Sequence, residues 1–168
     1  MRISNRIASI YSHTYLKMES VRFLNRMILW RTPMPHISVI IPVYNAGNYI
    51  VDTLNSVLQQ TLKDIEVIVV NDGSNDQSLA ECYRLQEIDK RIIIINQDNQ
   101  GVSKARNVGK QNATGDYIIF IDADDELDCR MLEILYTQAR KTDSDISVCG
   151  VDKILKKARG EETVSLQL

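Results

Sequence analysis

Residues 117–125 read Tyr117-Ile118-Ile119-Phe120-Ile121-Asp122-Ala123-Asp124-Asp125, five apolar residues that empty without a turn into three carboxylates within four positions. A short apolar run of this kind is a strand buried on both faces, which is how strands of a helix-covered parallel sheet read. Carboxylates this close repel one another, so the cluster costs stability unless something cationic neutralises it. A hard divalent cation such as Mg²⁺ or Mn²⁺ has the oxygen-ligand preference to do so. In open α/β sheets the crevice beyond the carboxyl ends of the strands is also where ligands bind. The competing reading is that Asp124 and Asp125 cap the N-terminus of a following helix, whose dipole favours acid.

Outward from that strand, the chain from Ile37 onward alternates β-branched runs with helical periodicity, the pattern of repeated βαβ units. Strands are expected at Ile37 to Val43, Ile65 to Val70, Ile92 to Ile95, Tyr117 to Ile121 and Ile146 to Val151. Between them Ile50, Val51, Leu54, Val57 and Leu58 recur at helical spacing. A second helix is expected from about Asp76 to Asp89, with Leu79, Cys82 and Tyr83 inward, and a third from about Gly101 to Ala113. Leu127, Met131, Leu132, Leu135, Tyr136 and Ala139 mark a fourth. Right-handed crossovers then predict an α/β fold, a mostly parallel sheet with helices on both faces.

Two further strand ends carry chemistry. The second strand empties into Asn71-Asp72-Gly73-Ser74, where Gly73 permits a tight turn and Ser74 or Asn75 can cap the next helix. A carboxylate at Asp72 can accept from a nucleobase N–H or a ribose hydroxyl; the plainer alternative is a turn residue. The first strand breaks at Pro42 and continues Val43-Tyr44-Asn45, which places an aromatic ring and an amide at the same rim, with ordinary packing as the alternative for Tyr44. Neither Gly-x-Gly-x-x-Gly nor Gly-x-x-x-x-Gly-Lys-Ser/Thr occurs, so the fingerprints of a Rossmann dinucleotide enzyme and of a P-loop nucleotidase are missing. A phosphoacceptor receiver also places Asp at strand ends, but it wants Lys at the end of its fifth strand, where this chain has Cys149-Gly150.

The chain has 168 residues, 44% hydrophobic and 25% charged, enough for one core and too few for two ordinary domains. Its net charge of -2 is uneven: residues 1–34 carry Arg2, Arg6, Lys17, Arg22, Arg26 and Arg31 against Glu19, so the remainder is acidic and no nucleic-acid binder by charge. Cys82, Cys129 and Cys149 lack Cys-x-x-Cys spacing and read as reduced core residues of a cytoplasmic protein. No stretch of about 18 apolar residues predicts a transmembrane helix. The basic, loosely amphipathic segment 1–34 reads either as a disordered extension, with Met34 an alternative start, or as a peripheral contact with the inner face of the cell membrane.

In order along the chain, Ile37-Ser38-Val39-Ile40-Ile41-Pro42-Val43-Tyr44-Asn45, Val69-Val70-Asn71-Asp72-Gly73-Ser74, Asn99-Gln100-Gly101-Val102-Ser103-Lys104-Ala105-Arg106-Asn107 and Asp122-Ala123-Asp124-Asp125 resemble the signature of family 2 glycosyltransferases with the GT-A fold. The resemblance implies a Rossmann-like nucleotide-diphospho-sugar-binding domain over residues 35–151. It implies an inverting transfer of sugar from a UDP-sugar to a polysaccharide or lipid-linked glycan, dependent on Mn²⁺ or Mg²⁺. By it, Pro42, Val43, Tyr44, Asn45 and Asp72 would line the donor site, with Pro42, Tyr44 and Asp72 around the uracil and Arg106 near the nucleotide. Asp122 would contact ribose and help fix the metal, and Asp124 would ligate it.

Members of that family continue well past the acidic motif into an acceptor half that supplies a Glu or Asp as general base. The sequence here ends at Leu168, and residues 152–168 read as a charged tail in which Glu161 and Glu162 are solvated charges. The expectation is a donor-binding half, truncated before the acceptor half and without its base. The alternative is a non-catalytic nucleotide-sugar-binding or interaction module.

Overall fold

The structure is a computed structural model that describes residues 34–157 and 160–166, with side-chain environments from 34 to 150. The basic segment therefore lies, apart from Met34, outside the described residues. Six strands and four helices follow in order: β1 Ile37–Val43, α1 Ile50–Leu58, β2 Ile65–Asp72, α2 Ser78–Ile88, β3 Ile92–Gln97, α3 Val102–Asn112, β4 Tyr117–Phe120, α4 Met131–Thr142, β5 Val151–Lys157 and β6 Gly160–Leu166. No helix among the described residues is long and apolar enough to cross a membrane.

The first four strands form one parallel sheet in the order β3-β2-β1-β4. β1 and β2 are buried at every position because the sheet is covered on both sides. Alternation divides their side chains: Val39, Ile41, Val67 and Val69 pack with Ile50, Leu54, Val57, Cys82, Leu85 and Leu132 of α1, α2 and α4. Ile40, Ile68 and Val70 face the other way, against Ala105 and Val108 of α3. This is what right-handed crossovers require, since β1-α1-β2-α2-β3 advances in one direction and the step through α3 to β4 reverses it. Pro42 sits in β1 without breaking the sheet because the ladder with β4 ends at Ile40, so its missing N–H removes no strand bond.

Opposite the ligand edge, Glu66 clasps three elements. Its Oε1 accepts from the Ser38 hydroxyl at 2.6 Å, the Thr114 N–H at 2.6 Å and hydroxyl at 3.0 Å, and the Gly115 N–H at 3.2 Å. A carboxylate buried among strands is tolerable only with its lone pairs so occupied. It anchors the α3–β4 turn, where a Cβ at Gly115 would fall 2.7 Å from the Ser38 nitrogen.

Several expectations need correction, the first being that β4 is not buried on both faces, since Ile118 and Phe120 are exposed. Ile146 to Val151 is no fifth strand of this sheet: residues 145–150 have no regular structure, and Ile146 and Val148 are exposed. Of residues 152–168, expected as a charged tail, 152–157 and 160–166 belong instead to an antiparallel hairpin of β5 and β6. Of the cysteines, Cys82 is core, its thiol pushed up to about 12 by burial, whereas Cys129 and Cys149 are exposed. The inward face of α2 is Ser78, Cys82 and Leu85, and Tyr83 points outward.

Candidate functional site

Because β2 and β3 lie on one side of β1 and β4 on the other, the sheet reverses its order between β1 and β4. The crevice beyond their carboxyl ends is the topological switch point at which ligands enter sheets of this kind. At the β1 rim, Pro42 and Val43 are buried, Val43 fully within the core, so only their main chain can meet a ligand. Tyr44 is 51% exposed at the mouth. Asn45 takes a left-handed φ of 50°, a conformation that Asn tolerates better than most residues. It is held there by exchange with the β2 loop: its N–H donates to the Ser74 hydroxyl at 3.1 Å, and its side-chain oxygen accepts from the Asn75 N–H at 2.8 Å.

Two residues that sequence reasoning passed over complete this stitching. The Ser78 hydroxyl accepts from the Ala46 N–H at 2.8 Å, and Asp76 Oδ2 accepts from the Gly47 N–H at 2.9 Å while its Oδ1 takes the N–H and hydroxyl of Ser78. Asp76, and neither Ser74 nor Asn75, therefore satisfies the start of α2. The Asp-x-Ser spacing, an Asx-turn, was the available signal. The Ser78 hydroxyl, with the N–H groups of Ser78 and Gly47, holds the Asp76 carboxyl below its usual range against the opposing effect of burial.

Asp72 ends β2 and is 3% exposed. Its Oδ1 accepts from the Gln97 amide at 2.7 Å and the Gln100 N–H at 2.9 Å, and its Oδ2 from the Gly101 N–H at 2.8 Å. Burial raises its carboxyl, but these three donors outweigh it and the net direction is down. Gly73, at φ 73°, lets Asn99 approach so closely that a Cβ would lie 2.8 Å from the Asn99 nitrogen. Asp72 thus binds the β2 end to the segment leading into α3, with three of its acceptor positions taken within the chain.

The acidic run lies across the crevice. Asp122 Oδ1 takes a charge-assisted bond from Arg106 Nη2 of α3 at 2.5 Å, while Arg106 Nε is shielded from water and has no partner among the described residues. Lys104, two residues earlier, turns instead to Gln100 at 3.4 Å. Asp124 is exposed and has no hydrogen-bond or ion-pair partner among the described residues. The helix-cap reading of Asp124 and Asp125 fails, because α4 begins only at Met131 and the Asp128 side chain serves the Arg130 N–H beside it. Among the described residues no three His, Cys, Asp or Glu side chains form a ready-made metal cage. Two carboxylates, one paired with Arg106 and one free, nevertheless make an oxygen-donor edge of the kind that Mg²⁺ or Mn²⁺ prefers.

Asp125 behaves differently. Although the residue is exposed as a whole, partial desolvation of its carboxyl, with the charges of Asp122 and Asp124, pushes that group up against the opposing bond from the Asp122 N–H. A group raised in the folded state favours folding below its unfolded value and loses that contribution as pH rises through the folded one. Asp125→Asn should therefore leave the thermal midpoint at pH 7 unchanged or higher than wild type, with the gap closing toward pH 4. Calorimetric melts across that range test it, and a clear loss of stability at pH 7 would contradict it.

The sequence model of the family described as Glycosyl transferase family 2 matches residues 38–166. Among curated proteins, the glycosyltransferase GlyA of Streptococcus pneumoniae is 46% identical over 112 residues, covering 67% of this chain and 16% of that protein. The uncharacterized glycosyltransferase EpsJ of Bacillus subtilis is 43% identical over 122 residues, covering 71% of this chain and 35% of that one. The crystal structure of S. aureus TarS 1–349 in complex with UDP-GlcNAc superposes with a TM-score of 0.60 at 32% identity, covering 65% of this chain and 32% of that one. The chain thus spans well under half the length of these relatives.

Proposed function

Since the chain belongs to glycosyl transferase family 2, we propose that it forms the donor-binding portion of a metal-dependent, inverting transferase that takes a sugar from a UDP-sugar to a polysaccharide or lipid-linked glycan. The observation that carries this reading is the free Asp124 carboxylate beside an Arg106-paired Asp122 at the switch-point crevice. A cation held by Asp122 and Asp124 would supply Lewis-acid neutralisation of the diphosphate leaving group.

The remaining roles belong to the protein. Tyr44 offers an exposed ring on which a uracil can stack, next along the chain to the buried Pro42 and Val43, whose main chain with that of Asn45 can meet the base at its edge. Arg106 Nε is a shielded donor with no partner, suited to an acceptor atom of the nucleotide. Asp122 orients that guanidinium and faces the ribose. Asp72 serves the base pocket by fixing its loop as well as by any remaining lone pair. That TarS, at 32% identity, holds UDP-GlcNAc supports a uridine donor. We place the reaction at the cytoplasmic face of the membrane, on the strength of the basic segment 1–34.

The test is a calorimetric titration of UDP with Mn²⁺ and with EDTA. Binding should weaken about tenfold or more in EDTA, and Asp124→Ala with Mn²⁺ present should match the EDTA value, since loss of one charge-assisted contact is worth about that ratio. Equal affinity in all three arms, with folding verified by circular dichroism, would remove the metal from the proposal.

A further inference from the structure

α1 carries a polar stripe where an amphipathic helix would place apolar side chains. Thr53 is 1% exposed and Gln60, two residues beyond the helix, is fully buried, although their neighbours Ile50, Leu54 and Val57 form the core. Thr and Ser are also poorer helix formers than the Ala or Leu that would pack there, and buried polar groups cost stability unless bonded. These groups are bonded, and across the chain they reach a single segment. The Thr53 hydroxyl donates to the Ala123 carbonyl at 2.9 Å, against 3.4 Å to Tyr49 in its own helix. The Ser56 hydroxyl accepts from the Leu127 N–H at 3.1 Å. Gln60 donates to the Asp128 carbonyl at 2.7 Å and accepts from the Leu132 N–H at 3.0 Å. The Thr61 N–H donates to the Cys129 carbonyl at 2.8 Å.

The segment so held is the acidic run and its continuation to α4, residues 121–130, which lie in no strand or helix and are joined by backbone bonds to β1 at one end, Ile121 to Ile40, and to α4 at the other, Arg130 to Ile134. Within it the Asp125 N–H donates to the Asp122 carbonyl and closes a turn over Ala123 and Asp124, and the Asp128 side chain accepts from the Arg130 N–H, but neither contact ties that turn to another element. The Ala123 carbonyl belongs to the peptide plane that joins Ala123 to Asp124, so its direction sets where the Asp124 side chain leaves the backbone. We propose that Thr53, backed by Ser56 and Gln60, is the positioning residue that aims Asp124 at the donor's divalent cation. This deepens the functional reading above and rests on it for the cation. Ligands must be held within roughly 0.5 Å of productive geometry, and the Asp124 side chain has no partner of its own among the described residues, so its aim depends on how the turn that carries it is held.

The test compares Thr53→Val, which keeps shape and removes the hydroxyl, with Thr53→Ser, which keeps the hydroxyl, in the full 168-residue chain. Hydrogen exchange read by mass spectrometry reports the loop without any ligand, and a Mn²⁺ titration of UDP binding reports the cation. Thr53→Val should speed exchange in peptides covering 121–130 about tenfold while peptides of β1 and β2 stay unchanged, and should raise the half-saturating Mn²⁺ about tenfold, the ratio one ordinary hydrogen bond is worth. Thr53→Ser should restore both. Unchanged loop exchange, acceleration spread evenly through sheet and loop, or a loosened loop with unaltered Mn²⁺ requirement would each overturn the proposal. A wild-type chain that binds no UDP at any Mn²⁺ concentration overturns the functional reading instead, and the exchange arm then decides the anchoring by itself.

Discussion

Asp72→Ala should cost the domain about 2–4 kcal/mol of stability and weaken UDP binding by a further 1–3 kcal/mol, the cost of leaving hydrogen-bonding groups unpaired. Three donors lose their acceptor at once: the Gln97 amide and the N–H groups of Gln100 and Gly101. Gln100 and Gly101 are exposed and can recover water, which keeps the loss below three full desolvation penalties. The segment 97–101 would still be released from β2, and with it the start of α3. Because the folded Asp72 carboxyl titrates below its usual value, its contribution is present at neutral pH and disappears as pH falls through that lowered value. Urea unfolding at pH 7 and at pH 3, beside calorimetry of UDP, measures both effects. Wild-type stability in Asp72→Ala would show that the three bonds hold nothing.

Gly109→Ala should destabilise the domain by about 1–3 kcal/mol, the usual cost of overpacking a core, despite the gain in helix propensity that Ala brings in a helix interior. Gly109 is the point at which α3 lies on the sheet. A Cβ there would stand 2.3 Å from Cγ2 of Ile40, a fully buried branched side chain in central strand β1 that cannot turn aside. The helix must lift, and Arg106, one turn earlier on α3, lifts with it away from Asp122. Donor affinity should fall together with the melting temperature. Ile40→Ala removes the obstructing methyl, so the double variant should be clearly more stable than the sum of the two single losses predicts. Strict additivity would mean that the two positions do not meet.

The architecture was legible because its signal is local. β1 and β2 are runs of β-branched residues covered on both faces, and their spans in the structure match the sequence reading to within two residues. Gly73 was readable as a turn glycine and has the positive φ that role needs. α2 was readable as a helix but its phase was not. Leu79, Cys82 and Tyr83 fit the period as well as Ser78, Cys82 and Leu85 do, and the choice turns on the Ser78 hydroxyl reaching Ala46 from another loop. Residues 146–150 have strand composition, yet a strand exists only where a neighbouring edge pairs with it, and among the described residues β4 pairs with β1 alone.

Residue types alone, then, determined the parallel α/β sheet, the family resemblance and the strand ends that carry Tyr44, Asp72 and the acidic run, because burial period and turn chemistry act over a few positions. Which carboxylate is free and which is engaged was decided by tertiary structure. Asp122 meets Arg106 from 16 residues away, Asp72 closes on donors 25 to 29 residues on, and the Ala123 carbonyl beside Asp124 accepts from Thr53, 70 residues away. A hydrogen bond depends on distance and angle between groups that only the packed sheet brings together, and no periodicity along a chain records it.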